Sequence, residues 1–341
     1  MIAILKREWK SYFQNITGWL FIAAVLALYG LYFLAYNLRA GYPYVSYTLS
    51  AISFIMLIAV PILTMRSMAE ERHSRTDQLV LTAPVSLGKM IFGKFLAMVG
   101  VFTVAVAVIA VTPLVLAAFG TVPMGENYVA VLGFWLYGCT CIAVGMLASA
   151  LTESQVIAAV VAFAFLFLGY MMNSITGLIG DHLVTKVLGA YDLYTPLQSF
   201  MSGCLDLTGV VYFVSVTGLC LFLTCQCVQK RRWSMTTKKL TTGMFSVAMI
   251  VVGFAVAVAV NLVVKEMPSS WTAVDATSTK LYSLTDTTKD YVKNLSQDVT
   301  IYVLSSEKSA DSTLAETLQR YEDLSKHLKV VFKDPEKSPN F

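Results

Sequence analysis

Residues 66–86 read RSMAEERHSRTDQLVLTAPVS and place six charges, Arg66, Glu70, Glu71, Arg72, Arg75 and Asp77, within twelve positions. On either side the chain carries no Asp, Glu, Lys or Arg for long distances, from Arg39 to Arg66 and from Lys94 to Glu126. A short charged island between two long apolar runs has the pattern of a membrane protein's loop. A bilayer core of about 30 Å takes roughly 20 apolar residues of helix to cross. Seven stretches of that kind occur in the 341 residues, and trimming their polar ends predicts spans near 17–36, 47–65, 89–119, 128–150, 154–175, 208–228 and 240–264. The third is longer than a crossing needs and contains Pro113, which predicts a tilt or a kink.

Composition agrees. The chain is 57% hydrophobic and only 13% charged, about half the charge fraction of soluble domains. Of its charged residues 24 lie in the first 264 positions and 22 in the last 77, so a membrane region is joined to a water-soluble tail. A formal net charge of +4 is too small to suggest a nucleic-acid partner.

Lys and Arg set the orientation. With the N-terminus in the cytoplasm, thirteen basic residues face inward, among them the anchors Lys6, Arg7, Lys10, Arg231 and Arg232, against Arg39 and Lys186 outside. Seven spans then leave the tail outside. Ahead of the first span, residues 1–14 set Ile2, Leu5, Trp9, Tyr12 and Phe13 beside Lys6, Arg7, Glu8 and Lys10, which suits a helix at the cytoplasmic interface. The alternatives are a helix that simply extends the first span and a secretory signal peptide, the latter disfavoured by the long apolar run and the six spans that follow.

Beyond Lys265 the period changes. Ser283 with Asp286 resembles a capping box opening a helix to about Leu295. Val299 to Leu304 reads as a strand, Leu314, Leu318, Tyr321, Leu324 and Leu328 recur at helical spacing, and Val330 to Phe332 reads as a second strand. That order predicts a βαβ unit with parallel strands. One such unit leaves its faces and edges short of cover, so the tail is expected to be an incomplete α/β domain, truncated or completed by a partner.

No catalytic pattern emerges. The three histidines, His73, His182 and His327, lie in different segments, and the six cysteines read as small hydrophobes rather than a disulfide framework or metal site. Only Cys204 is expected on the outer side. The Walker pattern G-x-x-x-x-G-K-[ST] does not occur, and the tail from Lys265 contains no glycine at all. The spans carry no internal acid or base of the kind that marks an ion path.

Glu70-Glu71-Arg72, Thr76-Asp77-Gln78-Leu79 and Leu81-Thr82-Ala83-Pro84-Val85-Ser86 resemble the signature of ABC-2 type transporter permeases, and the resemblance covers residues 1 to about 232. It implies a six-span permease domain over 15–229, with 66–88 as the coupling loop that contacts an ABC ATP-binding subunit through Glu70, Glu71, Arg72, Thr76, Asp77 and Leu79. The protein would be a non-enzymatic transport subunit, with ATP and Mg bound only by the partner. It further implies an exporter, multi-pass in the cytoplasmic membrane of a prokaryote, paired with a second permease half as homodimer or paralogue and bathed in membrane lipids.

After a basic linker, 230–239, the seventh span at 240–264 and the tail at 265–341 are similar to the auxiliary subunit of gliding-motility-type ABC transporters, carried by Val274-Asp275-Ala276-Thr277, Tyr282-Ser283-Leu284-Thr285 and Val299-Thr300-Ile301-Tyr302-Val303. The alternative is an ABC-like complex or anchor that acts on an envelope partner through its outer domain. The predicted fold class is thus a mainly α polytopic membrane protein, about seven transmembrane helices, followed by an incomplete extracytoplasmic α/β domain.

Overall fold

The computed structural model describes residues 2–74, 86–179, 189–233, 239–265, 267, 273–276, 286–295, 297–305 and 312–333. Within it, seven helical stretches are long and apolar enough to cross a membrane, and a small strand-containing region follows them.

The first helix, α1 (Ile2–Gln14), is separate from α2 (Ile16–Phe33): Asn15 between them is extended, with φ −90° and ψ 155°, so α1 does not prolong the first span. It packs instead against α5 (Leu87–Ile109), where the Trp9 ring covers Gly100. A π-turn, Leu34–Arg39, closes α2. The second span is α3 (Ser46–Thr64), continued almost without interruption by α4 (Arg66–His73). The third breaks as its proline predicts: α5 ends at Ile109, and α6 (Thr112–Ala117) restarts with Pro113 in its first turn, where a missing N–H costs nothing. Tyr29 and Thr112 hydroxyls, 2.6 Å apart, hold that break to the first span.

At the centre runs α7 (Met124–Leu151), 28 residues and about 42 Å long. Nearly every residue from Phe134 to Ala150 is buried, so its surroundings are protein on all sides. Gly138 is why α5 can approach: a Cβ there would overlap the Phe102 ring. The fifth span, α8 (Gln155–Ile179), and the short α9 (Tyr194–Met201) pack beside it. Strand β1 (Cys204–Asp206) then leads into the sixth span, α10 (Leu207–Trp233), and α11 (Lys239–Lys265) packs on α10.

Two buried asparagines close the end of the bundle opposite Arg66. Asn127 accepts from Val45 N–H at 2.6 Å and donates to Pro43 O at 3.1 Å, while Asn37 donates to Tyr42 O and Tyr44 O and accepts from Thr48. Asn127→Ala is expected to cost about 2 kcal/mol, because it orphans a buried N–H and weakens a carbonyl's pairing; the melting temperature of the purified protein in detergent measures it.

The tail holds β2 (Ala273–Asp275), α12 (Asp286–Lys293), β3 (Val299–Val303), α13 (Ser312–Leu324) and β4 (Leu328–Phe332). β3 and β4 are parallel, in register from Val299↔Leu328 to Val303↔Phe332, with α13 between them: the βαβ unit is present. Leu328 is corrected from helix to strand, since α13 stops at Leu324 and the chain must turn before β4 can pair with β3. The expected cap residue Ser283 lies outside the described residues. β2 does not join this sheet. It pairs antiparallel with β1 of the membrane region.

Candidate functional site

Charge within the bundle is concentrated at the end where α1, α4 and α5 meet. Lys94 lies in α5 with only 3% of its surface exposed. Its ammonium donates to Ser67 O at 2.8 Å and is ion-paired to Glu71 at 2.6 Å, with Glu8 at 4.0 Å. Arg7 bonds Glu8 at 2.5 Å and reaches Glu71 at 3.5 Å. Its guanidinium is held above its ordinary pKa chiefly by the hydrogen bond to Glu8 and, further, by the Glu8 and Glu71 charges. Three helices are thereby tied through one buried ammonium and two carboxylates. A buried charge of this kind tolerates low dielectric only while it stays paired.

α4 is held on its other side by α7. Ser149 Oγ accepts from the N–H groups of Met68 and Ala69, both at 3.1 Å, and donates to Met65 O at 3.0 Å. A hydroxyl can do all three at once, and so one serine fixes the first turn of α4 against the last turn of α7. Beyond it, Arg72 donates to Leu151 O at 3.2 Å and pairs with Glu153 at 3.0 Å, joining α4 to the turn between α7 and α8.

The residues singled out from the sequence divide accordingly. Glu70 forms a two-pronged pair with Arg66 at 2.7 and 2.8 Å, and both are half-buried. Glu71 turns inward onto Lys94 rather than outward to solvent. Arg72 is spent on the α7–α8 turn. Lys6 and Lys10 lie exposed on α1, Arg7 within the cluster. Arg231 and Arg232 fall in the last turn of α10, with no side chains described, and Thr76, Asp77 and Leu79 lie outside the described residues.

Sequence reasoning missed Lys94, Glu8, Ser149 and Glu153 as members of this cluster. Lys94 had a signal: it stands inside an apolar helix, where a charge needs a partner. Ser149 had none. Among the described residues no group of His, Cys, Asp and Glu is placed to hold a metal ion. The arrangement is a charged helix braced by three neighbours, with a half-buried Arg66–Glu70 pair on its other face.

Residues 41–228 match the model of a family described as ABC-2 family transporter protein, and residues 278–341 match a domain of unknown function, DUF7088. No curated protein and no solved structure matches the chain.

Proposed function

This chain belongs to the ABC-2 family of transporter proteins and is the membrane-spanning permease subunit of an ABC transporter, and on that premise we propose that it works as an exporter driven through the charged end of its bundle. The family implies an ABC ATP-binding partner. In this reading that partner binds ATP and Mg, and docks at the cytoplasmic face formed by α1 and α4, with Glu70 and Arg66 as contact residues and Asp77, further along the sequence, as a third. The N-terminus lies in the cytoplasm, α1 rests against the inner leaflet, and the tail is extracytoplasmic. A second permease half, a copy of this chain or a paralogue, completes the complex.

The observation that carries this reading is the bracing of α4. A docking helix transmits force only if it does not yield where it is attached. α4 is attached through Ser149 to α7 and through Glu71 and Lys94 to α1 and α5. Movement imposed on it therefore passes to the central span.

Glu70→Ala provides a clean probe. A half-buried surface pair of this kind contributes about 1 kcal/mol or less, so the variant is expected to fold normally. Transport per ATP hydrolysed, in vesicles holding both subunits, should nevertheless fall about fivefold or more. Unchanged transport and hydrolysis would remove Glu70 from the contact.

A second reading keeps the ATP-driven permease but makes the outer domain the working part, pulling on an envelope partner as an auxiliary subunit fused to its permease. The pairing of β2 with β1 favours it, because it gives the tail a direct attachment to the membrane region. Solute flux in vesicles separates the two.

A further inference from the structure

The end of the bundle opposite Arg66 carries a joint between the membrane region and the tail. β1 immediately precedes α10, and β2 follows α11 by only a few residues. They pair antiparallel, Cys204↔Asp275, Leu205↔Val274 and Asp206↔Ala273, and Ala276 N–H extends the ladder to Gly203 O at 3.2 Å. Gly203 has φ +81°, a backbone state that L side chains rarely adopt, so glycine is what lets α9 turn into β1.

Three further contacts fasten this ladder. Arg320 of α13 donates to Cys204 Sγ at 3.8 Å, bringing the βαβ unit onto the same residue that β2 covers. Cys204 is accordingly 1% exposed, in keeping with the reading of the cysteines as small hydrophobes. At the start of α7, Gly125 lies so close to Ala276 that an added Cβ would sit 2.7 Å from its carbonyl oxygen. On the inner side of β1, the fully buried Phe200 of α9 packs over Gly209 of α10.

We infer that the β1–β2 ladder makes the tail and the outer end of the bundle a single mechanical body, with α7 as the rod that joins it to the braced α4. α7 touches the tail through Gly125 in its first turn and holds α4 through Ser149 in its last. ATP-driven displacement of α4 is thus delivered to the tail, whose role is to carry that displacement to whatever lies outside the membrane. The ladder itself does not depend on the permease reading; only the ATP step rests on it.

Alternation in the ladder supplies the test. The Gly203–Ala276 pair is hydrogen-bonded, so Cys204↔Asp275 is the neighbouring non-hydrogen-bonded pair, with Cα atoms about 4.5 Å apart and within disulfide reach. Asp275→Cys in the full chain, purified with its ATP-binding subunit in lipid discs, should form an intramolecular disulfide with native Cys204 on treatment with copper phenanthroline. The yield should be the same without nucleotide and with the ATP-trapped complex, hydrolysis should stay within about twofold of the reduced protein, and Cys204→Ser should abolish the crosslink.

Hydrogen exchange gives the second readout. Protection of β3, β4 and α13 should change on ATP trapping in the native protein. Val274→Pro, which removes a ladder N–H, should erase that change. Absence of the disulfide in the chain alone, its formation in one nucleotide state only, or tail exchange indifferent to nucleotide would each overturn the joint. If no ATP-binding subunit co-purifies, the permease reading fails, while the disulfide still decides the ladder.

Discussion

Glu71→Ala is expected to cost about 3–5 kcal/mol of stability, the range found when one partner of a buried ion pair is removed. The variant leaves Lys94, 3% exposed, with Glu8 at 4.0 Å as its remaining carboxylate, and it also takes a partner from Arg7. The resemblance made Glu71 a contact of the ATP-binding subunit, a role that by itself carries no stability cost; its inward turn onto Lys94 adds one. Adding Lys94→Met removes the stranded ammonium while keeping an unbranched apolar stem, so the double variant should recover most of the lost folded yield. Thermal melts of the four proteins of this cycle measure the coupling. If Glu71→Ala melts as the native protein does, the buried pair holds nothing together.

Gly138→Leu is the second large effect. The Phe102 ring occupies the space a Cβ would take, Phe102 is fully buried, and its ring lies 5.8 Å from that of Phe134. No surface is near for the ring to escape to. Overpacking of this kind reaches about 3 kcal/mol when backbone must move, and here α5 and α7 would be forced apart. Little folded protein should survive extraction in mild detergent. Phe102→Ala in the same chain makes room and should restore extraction, which a defect in insertion would not permit.

What the sequence disclosed follows from which forces are periodic. The spans were legible because crossing a bilayer requires a long uncharged run, and each of the seven predicted runs meets a helix that begins or ends within a few residues. The kink at Pro113 and the parallel pair β3 and β4 were legible for the same reason: proline chemistry and strand-helix-strand order are local.

The β1–β2 ladder was not legible. It joins two three-residue segments far apart in the chain, and neither is long enough to show alternation. The braced end was half legible. Its charges were visible at Glu70, Glu71 and Arg72, yet their division into a half-buried pair, a buried strut and a tie to the α7–α8 turn depends on Lys94, Glu8, Ser149 and Glu153 arriving from elsewhere in the chain. Lys94 signals its burial only by standing inside an apolar helix, and nothing local names its partners.

In the proposed function, force enters this permease through α4 and the residues that follow it, Asp77 among them. The most direct measurement is ATP hydrolysis by this chain co-purified with its ABC ATP-binding subunit in lipid discs, comparing the native protein with Asp77→Ala and Glu70→Ala. The expected result is a stable complex in all three, with hydrolysis or its coupling to transport reduced about fivefold or more in the variants. A chain that retains no ATP-binding subunit, or variants that hydrolyse and transport as the native protein does, would contradict it.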